Sequence, residues 1–250
     1  MQDPDRRLML EETAQATTRL LASARLLTDA DLRGPSTLPD WSRAHVLTHV
    51  ARNADSCTRL LTWATTGQET PQYASREDRD SEIAYRAMRP LDEQLTDLDR
   101  SAARFTAAAH AVPPDRWEVP VRWLSGAEHP AHHVLWARWR EVEIHHVDLD
   151  TGYDSADWPD AFTAQALDDV VDGFRLRADA PDLVLEGRDS GRRFALGEAV
   201  GLAPADVDAR GIRTVSGPEH RLVAWLAGRA DGRMLVVTPA GPMPAMPSWL

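Results

Sequence analysis

Two stretches of this 250-residue chain carry side chains whose types and spacing could do chemistry. "RWREVEIHHVDLD", from Arg138 to Asp150, puts Glu141 and His145 four residues apart, and "LPDWSRAHVLTHVARNAD" holds His45, His49 and Asn53. A helix advances about 100° per residue. With Glu141 at zero, His145 falls about 40° round the helix, Arg138 about 60° and Asp148 about −20°, while Glu143 faces almost the opposite way. Glu141 and His145 thus share one stripe, a turn apart, and can chelate one metal ion. Glu143 and His146 form a rival pair on the outer side. In the other stretch His49 borders the apolar face made by Val46, Val50, Cys57, Leu60 and Leu61, and Asn53 is a polar residue inside that face. His45 lies further out. His49, Glu141 and His145 together make a two-histidine, one-carboxylate set with an open fourth position, the ligand count of catalytic zinc. A Glu–His pair at this spacing also arises on an ordinary solvated helix face, so spacing alone leaves both readings standing.

The elements that must hold these residues are helical. Apolar periodicity predicts helices over 4–32, over 42–64 with Asp40 or Ser42 as cap, over 76–111 with a restart at Pro90, and from near 130 to before Gly152. Gly34, Pro35 and Pro39 break the first from the second, and "VPPDRWEVPVRWLSG" reads as a Pro-rich connection before the fourth. Four such stretches form a four-helix bundle over residues 1–155. Beyond it the pattern changes. One more helix, over 160–178, precedes the β-like runs "DLVLEG", "RRFALG", "GIRTVSG" and "RMLVVTP", with the helix "PEHRLVAWLAGR" between the last two. Residues 156–250 are therefore a small α+β domain, and the fold class is α plus α+β.

Composition narrows the function classes. The net charge is −11, and no concentrated basic surface is visible, which argues against a nucleic-acid partner. No apolar run approaches the roughly 20 residues that span a bilayer, and the charged start "MQDPDRRLMLEE" lacks the apolar core of a signal peptide, so a cytoplasmic protein is expected. The single cysteine, Cys57, excludes an internal disulfide and sits on an apolar arc, as a core residue would. His110, His129, His132, His133, His146 and His220 are read as surface or hydrogen-bonded histidines, and the nine tryptophans as packing groups. All 28 basic residues are arginine, as in a GC-rich bacterial genome.

The stretches "LPDWSRAHVLTHVARNAD", "WATTGQETPQY", "REVEIHHVDL", "LAGR" and the terminal "PAMPSWL" resemble, in order along nearly the whole chain, the mycothiol-dependent maleylpyruvate isomerases. The resemblance implies a DinB/YfiT-like metal-binding bundle followed by a small domain of sterol-carrier-like fold. It places the family's zinc ligands on His49, Glu141 and His145, the three residues that the helical geometry picks out, and counts His49 among the catalytic residues as well. The family's catalytic arginine falls on Arg229 of "LAGR", with Arg221 as the alternative. Asn53 and Arg138 become contacts for the cofactor. Two positions depart from the family's pattern: Asp40 stands where glycine is usual before the tryptophan, and Gln72 where methionine is common.

The activity implied is a zinc- and mycothiol-dependent cis–trans isomerisation of maleylpyruvate to fumarylpyruvate, a step of gentisate degradation. The thiol adds to the double bond, the bond rotates, and the thiol is eliminated. Mycothiol is the low-molecular-weight thiol of high-GC actinobacteria, which agrees with the all-arginine composition. A thiol brought in from outside also explains how a one-cysteine chain could do thiol chemistry. The expected partners are small molecules, with no nucleic acid and no membrane, the chain being a monomer or weak oligomer and the site lying between the domains. Two alternatives remain at this stage: another mycothiol-dependent S-transferase on the same scaffold, or a non-enzymatic metal- or small-molecule-binding regulator.

Overall fold

Pro4 in the first turn and the reciprocal Gln2–Asp5 cap start α1 (Asp3–Ala24). In the computed structural model, which describes residues 2–249, this helix is shorter than its periodicity suggests. Met1, and Leu250 at the end of the "PAMPSWL" stretch, lie outside the described residues. The predicted helix over 4–32 is two helices, because Thr28 accepts a hydrogen bond from the Asp31 amide at 3.2 Å and opens a new one, α2 (Asp29–Arg33). α3 (Arg43–Thr66) ends at Gly67, whose φ of 75° is the left-handed conformation that closes a helix. α4 (Arg76–Arg86) and α5 (Leu91–Ala111) are separated at Pro90, as the sequence predicts. The Pro-rich connection folds into a hairpin, β1 (Pro120–Arg122) against β2 (Glu128–Pro130), with Val121 fully buried. It leads into α6 (His133–Asp148).

The chain divides into two compact units, Met1–Tyr153 and Asp154–Leu250. The core of the first draws on all four long helices. Cys57, Leu60 and Leu61 of α3 meet Phe105 of α5, Val134 and Leu135 of α6, and Met9 and Leu10 of α1. α6 is buried on nearly every side, which is unusual for a helix carrying "RWREVEIHHVD". A helix so rich in charge can be central only where each charge finds a partner or a function.

The second unit opens with α7 (Asp160–Arg175) and holds a four-stranded sheet in the order β4 (Arg193–Leu196), β3 (Leu183–Gly187), β5 (Arg213–Gly217), β6 (Val236–Thr238). β3 and β5 are parallel and the outer pairs antiparallel. The parallel pair requires a crossover, which contains a short helix that the periodicity does not reveal, α8 (Pro204–Ala209). α9 (Glu219–Leu226) follows β5, with Leu222, Val223 and Leu226 buried. The class is the expected one, helical bundle plus α+β.

Candidate metal centre

α3 and α6 bring His49, Glu141 and His145 together. Each offers one ligand atom, and the three atoms lie within 4.8 Å of one another. His49 Nε2 is 2.8 Å from Glu141 Oε2, and His145 Nε2 is 3.4 Å from the same oxygen. The two imidazoles stand edge to face with centroids 4.5 Å apart, and the Trp41 ring meets His49 at 5.4 Å. Two neutral-capable imidazoles and a carboxylate converging on one point suit a borderline cation such as zinc.

The surroundings decide which nitrogen faces inward. Asp148, one turn beyond His145 and fully buried, sits 2.8 Å from His145 Nδ1, so Nε2 is left for the centre. Asp148 is itself held by the Thr37 hydroxyl at 2.9 Å and by the Thr37 amide, which donates to the Asp148 carbonyl at 3.0 Å. On the other side Arg79 of α4 approaches His49 Nδ1 at 3.2 Å. Neither Asp148 nor Arg79 is a site residue in the sequence reading. Asp148 could have been found, since it shares the Glu141 stripe; Arg79, brought in from another helix, carries no sequence signal.

The ionisation pattern follows from burial and these contacts. Burial, joined by the nearby His145 charge, pushes His49 down to about 4. Burial also works against a charged His145, but hydrogen bonds to Asp148 and Glu141 outweigh it and push that ring up to about 9. Burial disfavours ionised Glu141, yet the hydrogen bonds from His145 and His49 hold its carboxyl well below the usual range.

The rival ligands are engaged elsewhere. Glu143 is fully buried on the far side of α6, accepting from Arg19 at 2.6 Å and from the Tyr153 hydroxyl at 2.6 Å. His146 stacks on Tyr153 at 3.6 Å and lies 2.8 Å from the Ser23 hydroxyl. His45 serves the start of α3, its Nδ1 accepting from the Ser42 amide at 3.2 Å. Cys57 is buried, and burial pushes its thiol up to about 12.

One helical turn from Glu141, Arg138 is fully buried. Its Nη1 donates to the Val50 carbonyl at 2.7 Å and to Asn53 Oδ1 at 2.8 Å, so the two predicted cofactor contacts touch each other. Burial lowers the Arg138 pKa. Gln72 accepts from the Leu124 amide at 2.7 Å through Oε1 and ties the hairpin to the bundle. Asp40 has a φ of 62°, the left-handed conformation in which glycine is unstrained. In the second unit Arg229 follows α9 and donates to the Ala227 carbonyl at 2.8 Å, while Arg221, on α9, lies 3.9 Å from Asp154.

A family model described as the mycothiol maleylpyruvate isomerase N-terminal domain matches residues 13–150. The crystal structure of the mycothiol-dependent maleylpyruvate isomerase is similar at 30% identity, with a TM-score of 0.87 over 98% of this chain and 97% of that one. A histidine-to-alanine mutant of such an isomerase is similar at 29% identity, with the same TM-score and coverage. No curated protein matches by sequence. His49, Glu141 and His145 all lie within the matched span, and that span is more than half of the sequence: the chain belongs to the mycothiol maleylpyruvate isomerase N-terminal domain family.

Proposed function

We propose that this protein is a zinc- and mycothiol-dependent isomerase that converts maleylpyruvate to fumarylpyruvate in gentisate degradation. The observation that carries the reading is the convergence of His49, Glu141 and His145 in a chain of this family. A zinc ion held there would supply positive charge and an open position that favours thiolate over thiol. Mycothiol would supply the nucleophile: its sulfur adds to the carbon–carbon double bond, leaving a single bond that rotates, and leaves again as the double bond re-forms.

The chain's own groups hold and orient. His49 and His145 present Nε2, Glu141 presents Oε2, and Asp148 keeps the His145 ring turned inward. His49 also stands at the reacting centre as a catalytic residue, and Asn53 and Arg138 supply polar contacts to the bound small molecules. Arg229 is assigned the enolate that forms on addition, or a substrate carboxylate, which its planar fork would grip with two hydrogen bonds.

Elemental analysis and a coupled assay test the reading. The purified chain should carry about one zinc, lose it in His49→Ala and His145→Ala, and isomerise maleylpyruvate only when mycothiol is added. Zinc retained in both variants sinks the ligand set. Zinc present with no turnover of maleylpyruvate, but conjugation of mycothiol to a generic electrophile, would make the chain a transferase instead.

A further inference from the structure

The Arg138 guanidinium is anchored at one end and lacks an acceptor at the other. Both hydrogens of Nη1 are used, on the Val50 carbonyl and Asn53 Oδ1. Nε and Nη2 are buried and have no hydrogen-bond acceptor among the described residues. These two nitrogens form the side-on edge of the guanidinium, whose parallel N–H bonds match the two oxygens of a carboxylate. The side chain is fully buried. The nearest acidic group along its own helix, Glu141, is occupied by two histidines. Glu141 and Asp55 act on this cation through space, but neither gives Nε or Nη2 an acceptor, and buried donors left idle are costly.

The position of this edge matters. Arg138 precedes Glu141 by three residues, so it stands one turn along α6 from the metal ligands, about 4.5 Å in rise. Besides Glu141, it feels Asn53, Asp55 and Cys57 on α3, and Tyr73 on the irregular stretch between α3 and α4. Tyr73 is only partly buried and stacks under the Arg59 guanidinium at 5.2 Å.

We infer that the free edge of Arg138 is the anion subsite of the metal centre, and that it takes a carboxylate of the small molecule bound there. The inference rests on the isomerase reading only for which carboxylate arrives: maleylpyruvate carries two, and the family's thiol is not the group the fork selects. Asn53 is a positioning residue, since it holds Nη1 and so aims the opposite edge.

Calorimetric titration of the full chain with maleate tests this, with dimethyl maleate as the uncharged probe and inorganic phosphate as the alternative anion. Maleate should bind the chain both as purified and after chelator treatment, and the diester should not bind. Arg138→Met, which fills the space without charge, should keep its metal content and melting temperature while losing about a hundredfold in maleate affinity. Arg138→Lys should lose about tenfold, and should raise KM for maleylpyruvate more than it lowers kcat. If Arg138→Met does not fold, the lysine variant decides. Parental maleate affinity in either variant overturns the subsite, as does binding that vanishes with the chelator, or phosphate binding as tightly as maleate. Turnover in the parent with unchanged maleate binding in Arg138→Met would remove the subsite and leave the reaction. Maleate binding through Arg138 without any turnover would do the reverse.

Discussion

Asp148 grips His145 Nδ1 at 2.8 Å from a position with no exposure to solvent, on the last turn of the helix that carries both. A carboxylate behind a ligand imidazole fixes its tautomer and raises its basicity, and removing one typically costs ten- to hundredfold in metal affinity. Asp148→Ala should therefore bind zinc about tenfold to a hundredfold more weakly, and Asp148→Asn less so, because its amide oxygen can still accept from Nδ1. Competition against a chromophoric chelator measures this. Unchanged affinity in Asp148→Ala would mean that α6 alone fixes the ring.

Arg79 is expected to act in the opposite direction. A guanidinium only donates, so at 3.2 Å it leaves His49 Nδ1 to accept and puts the imidazole proton on Nε2, the nitrogen facing Glu141. A cation must displace that arrangement and also tolerate the arginine's charge. Arg79→Ala should raise zinc affinity about tenfold, read by the same competition. A fall in affinity would show that Arg79 supports the centre.

Cys57 should be chemically silent. Its folded-state pKa of about 12 lies above that of an exposed thiol near 9, because burial penalises the thiolate. A raised acid pKa gives stability that is complete below the unfolded value and is lost as pH climbs to the folded one. The chain should thus lose stability between pH 9 and 12, by up to about 1.4 kcal/mol per pH unit from this group. Cys57→Ser should remove that part of the slope and keep most turnover. Iodoacetamide should label the native protein at pH 8 far more slowly than the guanidinium-unfolded one. Rapid native labelling would contradict the burial.

Arg229 should separate chemistry from metal binding. Arg229→Ala is expected to stay folded and zinc-loaded yet lose about a hundredfold in turnover of maleylpyruvate with mycothiol, with only partial recovery in Arg229→Lys. Loss in Arg221→Ala, with Arg229→Ala at the parental rate, would move the role to Arg221. If neither variant changes turnover, catalysis owes nothing to these arginines.

How much of this was legible in the sequence varies residue by residue. Glu141 and His145 were readable because both sit on one helix, where the 3.6-residue period fixes their relation. His49 was readable for the same reason on α3, but only the fold joins the two stripes. The break after Ala24 was missed because apolar periodicity runs on through 27–32, while the Thr28–Asp31 cap that stops it is a polar, local event. The surroundings of Glu143 were missed because a helical wheel places a residue by angle and cannot know that α1 and Tyr153 cover that side. Asp40 shows a third case: its φ of 62° is a conformation that glycine adopts without strain, but backbone torsion is invisible until the chain is folded.

His49 and Glu141 are 92 residues apart in sequence, whereas Glu141 and His145 are neighbours on one turn. Closing a loop of that length carries an entropic cost on the order of 4 kcal/mol, which the local pair does not face. A cation present during refolding can therefore meet two of its ligands as soon as α6 forms, and must wait for the third until α3 has docked. The order of events is thus written into the ligand spacing. Two-point capture comes early and weak, three-point capture late and tight, so a metal-sensitive probe should follow the slow closing of the bundle, while far-ultraviolet circular dichroism records the helices before it.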